Sequence, residues 1–232
     1  MSALAAGEME VVGGGPQSFF TDLQPRHREP AVHLLARAFQ DSPLERSVIE
    51  GNAERRLRCN VYGKRALLKS AAGAAHILGA FQGRAASQPV AVLLAAAPHR
   101  YPFPMPGFWQ QVSCLFGQGV RVARRWAEVH QALEAVHLRE PHWYLSLLGV
   151  DPRSQGKGHG SRLLAFWLER VDRESWPSYL ETDRPENLPF YERAGFGVTT
   201  EVEVLGVRVW CMARRSLNDE NPRVFSKTSD WR

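Results

Sequence analysis

Residues 143–164, WYLSLLGVDPRSQGKGHGSRLL, decide how this chain reads. The apolar run 143–150 stops at Asp151-Pro152, as a strand does when it meets a turn. Gln155-Gly156-Lys157-Gly158-His159-Gly160-Ser161 follows, rich in glycine, and opens into an apolar helix over 158–173. A strand, a glycine turn and a helix start together make a place where backbone N–H groups and a helix dipole hold phosphate. The three glycines let the main chain approach a large anion, because no Cβ stands in the way. The P-loop needs GxxxxGK before Ser or Thr, and the dinucleotide fingerprint needs GxGxxG with a later acidic residue. Gly156-Lys157-Gly158-His159-Gly160 satisfies neither, and a diphosphate fits the turn.

Downstream, Tyr179-Leu180-Glu181-Thr182 reads as a strand, and Asn187-Leu188-Pro189-Phe190-Tyr191-Glu192-Arg193-Ala194-Gly195-Phe196 as a short helix. Gln155-x-x-Gly158-x-Gly160 resembles the acetyl-coenzyme A signature of the GCN5-related N-acetyltransferase (GNAT) family. The segment 187–196 resembles the family's Asn...Tyr-Glu-Lys/Arg-x-Gly-Phe helix, which closes the cofactor site. Both motifs stand in the right order at a fitting separation. Within the family, YLETDRPENLPFYERAGF and the later Trp210-Cys211-Met212 are most similar to puromycin N-acetyltransferase-like bacterial members. The resemblance covers 142–213 and is only topological before 142.

It implies an α/β (α+β) fold, a mixed sheet flanked by helices in a single GNAT acyl-CoA N-acyltransferase domain. Acetyl-CoA is then the co-substrate, and a primary amine the acceptor. The strand before the turn would splay from its neighbour near Leu148-Gly149, freeing backbone groups of Leu148 and Val150 for the pantetheine arm. Gly149 suits such a kink. The Leu148 N–H would also face the thioester oxygen. Gln155, Gly156, Lys157, Gly158, His159, Gly160 and Ser161 would hold the pyrophosphate, with charge from Lys157 or Arg162, and Asn187 the pantetheine region. Tyr191 would be the general acid, because a phenol stays protonated at neutral pH.

Strand alternation puts His142, Tyr144, Ser146 and Leu148 on one face. Several family members carry Glu or His at a position corresponding to Tyr144 or Ser146, and this chain departs from that pattern. A water chain ending at His142, Tyr144 or Glu181 is the remaining route for the acceptor's proton. Tyr144 and Tyr191 are the two catalytic candidates.

Outward from this centre, 1–22 and 216–232 read as poorly ordered, and the acetyltransferase domain as 23–215. Val32, Leu35 and Phe39 form a helical stripe ending near Asp41-Ser42-Pro43. Asn52 caps a second helix through Ser70, with Leu57, Val61 and Leu68 inward and Arg55, Arg56, Arg58, Lys64 and Arg65 outward. Runs 76–81 and 90–94 make a hairpin. The proline-rich 98–108 is a loop, and a basic amphipathic helix spans 120–137. Tyr101, Phe103, Met105, Phe108 and Trp109 either line an acceptor pocket, cover the core, or meet a second subunit in a homodimer.

The 232 residues carry 29 Lys+Arg against 24 Asp+Glu, a net +5 spread over helix faces, which reads as solvated surface and not as a nucleic-acid stripe. Cys59, Cys114 and Cys211 lie far apart without a CxxC pair, so neither a disulfide framework nor a zinc site is expected, and a cytoplasmic location fits. The eight histidines show no ligand spacing, so no metal is expected. No apolar run is long enough for a membrane helix, and no signal peptide is read at the start. The leading function is acetyl transfer to a small-molecule amine by direct attack in a ternary complex. Protein or peptide acetylation, and a non-catalytic acyl-CoA sensor, are the alternatives.

Overall fold

Short runs of apolar and β-branched residues, each bounded by glycine, proline or polar turns, build one eight-stranded sheet. The computed structural model describes residues 9–11, 18–104 and 107–215. The strands are β1 (Met9–Val11), β2 (Ser18–Asp22), β3 (Ala75–Gln82), β4 (Ala91–Ala96), β5 (Trp143–Val150), β6 (Ser178–Thr182), β7 (Gly197–Val204) and β8 (Val207–Arg214). Their order across the sheet is β1-β2-β3-β4-β5-β6-β8-β7, antiparallel throughout except for the parallel pair β5 and β6. The helices are α1 (Arg28–Phe39), α2 (Pro43–Val48), α3 (Ala53–Ser70), α4 (Phe108–Gln118), α5 (Val120–Val136), α6 (His159–Val171) and α7 (Leu188–Glu192). This is the mixed sheet flanked by helices that the motif order implies.

The two sheet faces are covered differently. Under α6, Trp143, Leu145, Leu180 and Met212 pack with Leu163, Leu164 and Trp167, and truncating a fully buried tryptophan such as Trp167 would cost about 3–5 kcal/mol. On the other face Val92 and Leu94 pack against Val32, Leu35 and Leu68 of α1 and α3. The Asn52 side chain accepts from the Arg55 N–H at 2.9 Å, capping α3 as its sequence predicts.

Several expectations are corrected. The segment 1–22, read as poorly ordered, contains β2, whose Phe20 is fully buried between sheet and α6, so the fold begins before residue 23. Residues 1–8, 12–17 and the tail 216–232 lie outside the described residues. Ser42-Pro43-Leu44-Glu45 starts an unexpected helix, α2, with the Ser42 hydroxyl accepting from the Glu45 N–H at 3.3 Å; Ser-x-x-Glu is a capping signal that was there to be read. Helix α4 was likewise unforeseen behind the prolines of 98–108. Lys64, read as an outward charge, is buried.

The most consequential correction is a β-bulge. Leu94 pairs with Leu147 but Ala95 with Leu145, so Ser146 is an extra residue in β5. Alternation therefore breaks there. Trp143 and Leu145 before the bulge, and Leu148 and Val150 after it, pack toward α6, while Leu147 packs toward α1 and α3 and a Cβ on Gly149 would strike Leu35 of α1. Leu148 does not share a face with Tyr144, contrary to the simple period-two reading.

Candidate active site

Strands β5 and β6 pair only from Trp143–Leu145 against 178–180, and beyond Leu145 they part. The Asp151 N–H donates to the Val90 carbonyl at 2.9 Å, toward β4. Alternation then sends the N–H and C=O of Leu148 and Val150 the other way, into the gap. Among the described residues, the partner of these groups on that side is the Gln155 side-chain amide, which donates to the Val150 carbonyl at 3.2 Å. The gap widens into a cleft of about 580 Å³, lined by 145–150, the glycine turn, Asp183, Asn187, Phe190 and Tyr191.

The glycines of the turn serve two ends. Gly156 and Gly158 adopt φ of +75° and +76°, the left-handed region that costs a side chain dearly. Gly160 sits in α6, where a Cβ would lie 3.1 Å from the Val150 side chain, so it sets how closely helix meets strand. Gly158 is the α6 N-cap and has no side chain to cap with, and the first helical bond is Arg162 N–H to Gly158 carbonyl. The amides of His159, Gly160 and Ser161 thus begin the helix without helical acceptors, beside the cleft these residues line.

Two residues of the predicted set are turned away. The Lys157 ammonium donates to the Arg153 carbonyl at 3.1 Å and does not line the cleft. The His159 imidazole is buried against the Ser18 hydroxyl at 3.3 Å, leaving its backbone to the cleft; burial, helped by Arg162 and Lys157, lowers its basicity. Asn187 donates its side-chain N–H to Thr182 Oγ1 at 3.2 Å and stands on the cleft wall. Tyr191 lies there too, packed on Phe190 and Phe196, with its phenol pushed up by burial and then by Asp183.

A second cavity of about 350 Å³ opens on the opposite sheet face, walled by Phe39, Lys64, Tyr101, Trp126 and His130. The two cavities share Phe39, Ser146, Leu147, Glu181, Thr182 and Asp183. They meet where β5 and β6 part. The Lys64 ammonium donates to Glu45 Oε1 at 2.7 Å and lies 4.8 Å from the centre of the Phe39 ring. Of the five loop residues, Tyr101 and Phe103 turn inward and Trp109 is exposed, while Met105 and the Phe108 side chain lie outside what is described.

Glu181 lies on the shared wall. The Tyr144 hydroxyl donates to its Oε2 at 2.6 Å, and His137 Nδ1 is 3.1 Å from its Oε1. Burial, then the Glu181 charge, pushes the Tyr144 phenol well above its usual range. As a donor to Glu181 with a raised phenol, Tyr144 is less suited than Glu181 to end the water chain that the sequence allows to either. His142 is bonded through Nδ1 to the Glu140 carbonyl at 2.6 Å and is lowered to about 4, chiefly by burial. Sequence reasoning missed His137, since it ends a helix and joins Glu181 only through the fold.

Among the described residues, no group of His, Cys, Asp and Glu is arranged to hold a metal, and no helix is long and apolar enough to cross a membrane. The described cysteines are free thiols.

Residues 118–198, from the end of α4 to the start of β7, match the family model described as acetyltransferase (GNAT) domain. The matched stretch includes β5, the glycine turn, α6, β6 and α7, which line most of the cleft. A stretch of 59 residues is 41% identical to an uncharacterized N-acetyltransferase of Schizosaccharomyces pombe, spanning 25% of this chain and 24% of that protein. The chain thus matches about a quarter of that curated relative's length. Among solved structures, it is similar to one described as histone acetyltransferase HPA2 and related acetyltransferase from Corynebacterium glutamicum, 19% identical with a TM-score of 0.66 over 87% of this chain and 98% of that one. It is also similar to the PaiA N-acetyltransferase of Thermoplasma acidophilum solved with coenzyme A, 14% identical with a TM-score of 0.52 over 85% and 98% of the two chains. At these identities the shared property is the fold.

Proposed function

We propose that the chain is an N-acetyltransferase that moves an acetyl group from acetyl-CoA to the primary amine of a small molecule, by direct attack in a ternary complex, in the cytoplasm. One observation carries the reading: the cleft beside the glycine turn and the cavity under α5 meet at the point where β5 and β6 separate. The cleft fits coenzyme A in its chemistry. Amides at the uncapped start of α6 suit a diphosphate, and the strand edge at Leu148 and Val150, which no neighbouring strand pairs, suits an amide-bearing arm, with Asn187 across from it. When bound, acetyl-CoA supplies a thioester that is open to attack by an amine.

The residues then divide the work. The Leu148 N–H, directed into the gap, suits a developing oxyanion. Tyr191, kept as a phenol by burial, suits the proton donor to a leaving thiolate. Glu181, on the wall common to both cavities, suits the group that takes a proton from an arriving ammonium, with Tyr144 fixing its carboxylate plane.

Small-molecule specificity rests on the second cavity. At about 350 Å³ it is near the lower end of ligand-pocket sizes, and α2, α3 and α5 wall it in. Phe39, Trp126 and Tyr101 offer apolar faces, and Asp183 and Glu181 offer negative charge for an ammonium. An acceptor with a ring-bearing body is what the resemblance of 179–196 to puromycin N-acetyltransferase-like sequences implies. The test is thiol release from acetyl-CoA across a panel of compact amines and peptides. Release with compact aromatic amines is expected; release only with peptides would replace this reading with protein modification, and binding without release would replace it with sensing.

A further inference from the structure

A buried relay continues behind Glu181. The His137 and Glu181 side chains are only 7% and 8% exposed, and His137 Nε2 lies 3.2 Å from His142 Nε2. The Glu140 carbonyl can only accept, so His142 Nδ1 carries a hydrogen. With His142 neutral, its Nε2 offers a lone pair, and His137 Nε2 must supply the hydrogen between the two rings. His137 Nδ1 then faces a carboxylate oxygen at 3.1 Å, a contact that is attractive only with a proton between the two atoms. Placing the extra hydrogen on His142 instead leaves the total unchanged. The cluster holds one proton more than two neutral imidazoles and a carboxylate would.

The surroundings suit that charge. Tyr101 stacks its ring face on His137 at 4.6 Å, and the rings of Tyr144 and Tyr179 stand steeply inclined to it with centres 4.9 and 4.7 Å away. The titratable groups near the pair are Glu134 and His130 from α5, Tyr101 from its loop, His142 and Tyr144 from β5, Tyr179 from β6 and Cys211 from β8. Lys64, on α3, is committed to Glu45. On its far side the relay reaches another cavity of about 350 Å³, lined by His99, Tyr101, Glu134, His137, Arg139 and His142. Tyr101 lines both this outer cavity and the acceptor cavity, and so forms part of the partition between them.

We propose that His137 and Glu181 store a proton between turnovers and that His142 is its outlet to the outer cavity. The inference rests on the acetyl-transfer reading. Release of the stored proton to a solvent base leaves Glu181 as a free carboxylate. Glu181 then takes one proton from the acceptor ammonium, giving the neutral amine that attacks, and shares that proton again with His137. One proton enters from the acceptor and one leaves through His142, on a path separate from the acceptor's own. Glu181 touches the substrate; His137 and His142 are positioning residues.

Two measurements test this. In protein labelled with ¹⁵N-histidine and ¹³C-glutamate at pH 7, His137, assigned by loss of its signals in His137→Gln, should show both ring nitrogens protonated; a neutral His137 beside a neutral His142, with the Glu181 carboxyl carbon at a carboxylate shift, overturns the stored proton. In steady-state kinetics His142→Phe and His142→Gln should keep KM for acetyl-CoA, lower kcat roughly tenfold to hundredfold in weak buffer, and recover with added imidazole. Unchanged kcat, or a loss that imidazole does not restore in either variant, overturns the outlet. A wild-type protein that releases no thiol with any amine overturns the acetyl-transfer reading, while the nitrogen and carboxyl-carbon shifts still decide the stored proton.

Discussion

The two sides of the active site are made of different materials. The cleft side is built by backbone: a strand edge left unpaired, two glycines with positive φ, and a helix start, all within 145–191. The acceptor side is built by side chains from α1, α2, α3, α5, β5 and β6, which only the fold assembles. A backbone site can be the same in many sequences, whereas a side-chain cavity is rewritten by each substitution. On the proposed reading, shared donor chemistry belongs to the first side, and acceptor choice to the second.

The largest effect should come from breaking the acceptor side. Lys64 and Glu45 form a nearly buried ion pair, 11% and 3% exposed, that ties α2 to α3. Lys64→Ala leaves a buried carboxylate alone and should cost about 3–5 kcal/mol, lowering Tm by on the order of 10 °C. Combining Lys64→Met with Glu45→Leu should recover most of that loss. A Lys64→Ala protein that melts like wild type would show that packing, and not the pair, holds the cavity wall.

A smaller effect tests the chemistry at the meeting point. Tyr191→Phe should keep the fold and KM for acetyl-CoA, yet lower kcat by about a hundredfold, because only the proton donor is removed. Unchanged kcat would reassign Tyr191 as one more core ring beside Phe190.

The cleft side is probed by Gly158→Val. A branched side chain at φ +76° carries strain of about 1–3 kcal/mol, placed on the first amides of α6. The Kd for acetyl-CoA should rise roughly tenfold in calorimetry while acceptor-side variants leave it unchanged. Equal affinity would mean that the turn does not grip the donor.

The same division explains what the sequence disclosed. Strand, turn and helix over 143–173 were legible because glycine, proline and apolar period act locally. Asn52 as a cap, and the hairpin of β3 and β4, were legible for the same reason. The bulge at Ser146 was not, since one extra residue leaves no mark in a run of apolar side chains, and it reversed the face assigned to Leu148. Glu181 was visible as one end of a water chain, but its partner His137 lies 44 residues away and is brought to it by the pairing of β5 with β6. Lys64 looked like a solvated charge because its counterion, Glu45, sits in a helix that was not foreseen.

The smallest predicted effect concerns the joint between the two sides. Arg37, near the end of α1, donates to Asp151 Oδ2 at 2.6 Å, and Asp151 also accepts from the Arg153 N–H, starting the turn after β5. Burial alone would raise the Asp151 carboxyl, but the bonds from Arg37 and Arg153 outweigh it and hold it at about 2, below its ordinary 3.8. A carboxyl depressed in the folded state contributes stability above its unfolded value, and that contribution fades as pH falls from about 4 to about 2. With Arg37 35% and Arg153 80% exposed, solvent screening limits the gain to about 1 kcal/mol. Arg37→Gln should thus be less stable than wild type by about that amount in urea melts at neutral pH, with the gap closing toward pH 2. A gap that persists in acid would mean that α1 is fixed to the turn by packing, and that the two sides are joined without this charge.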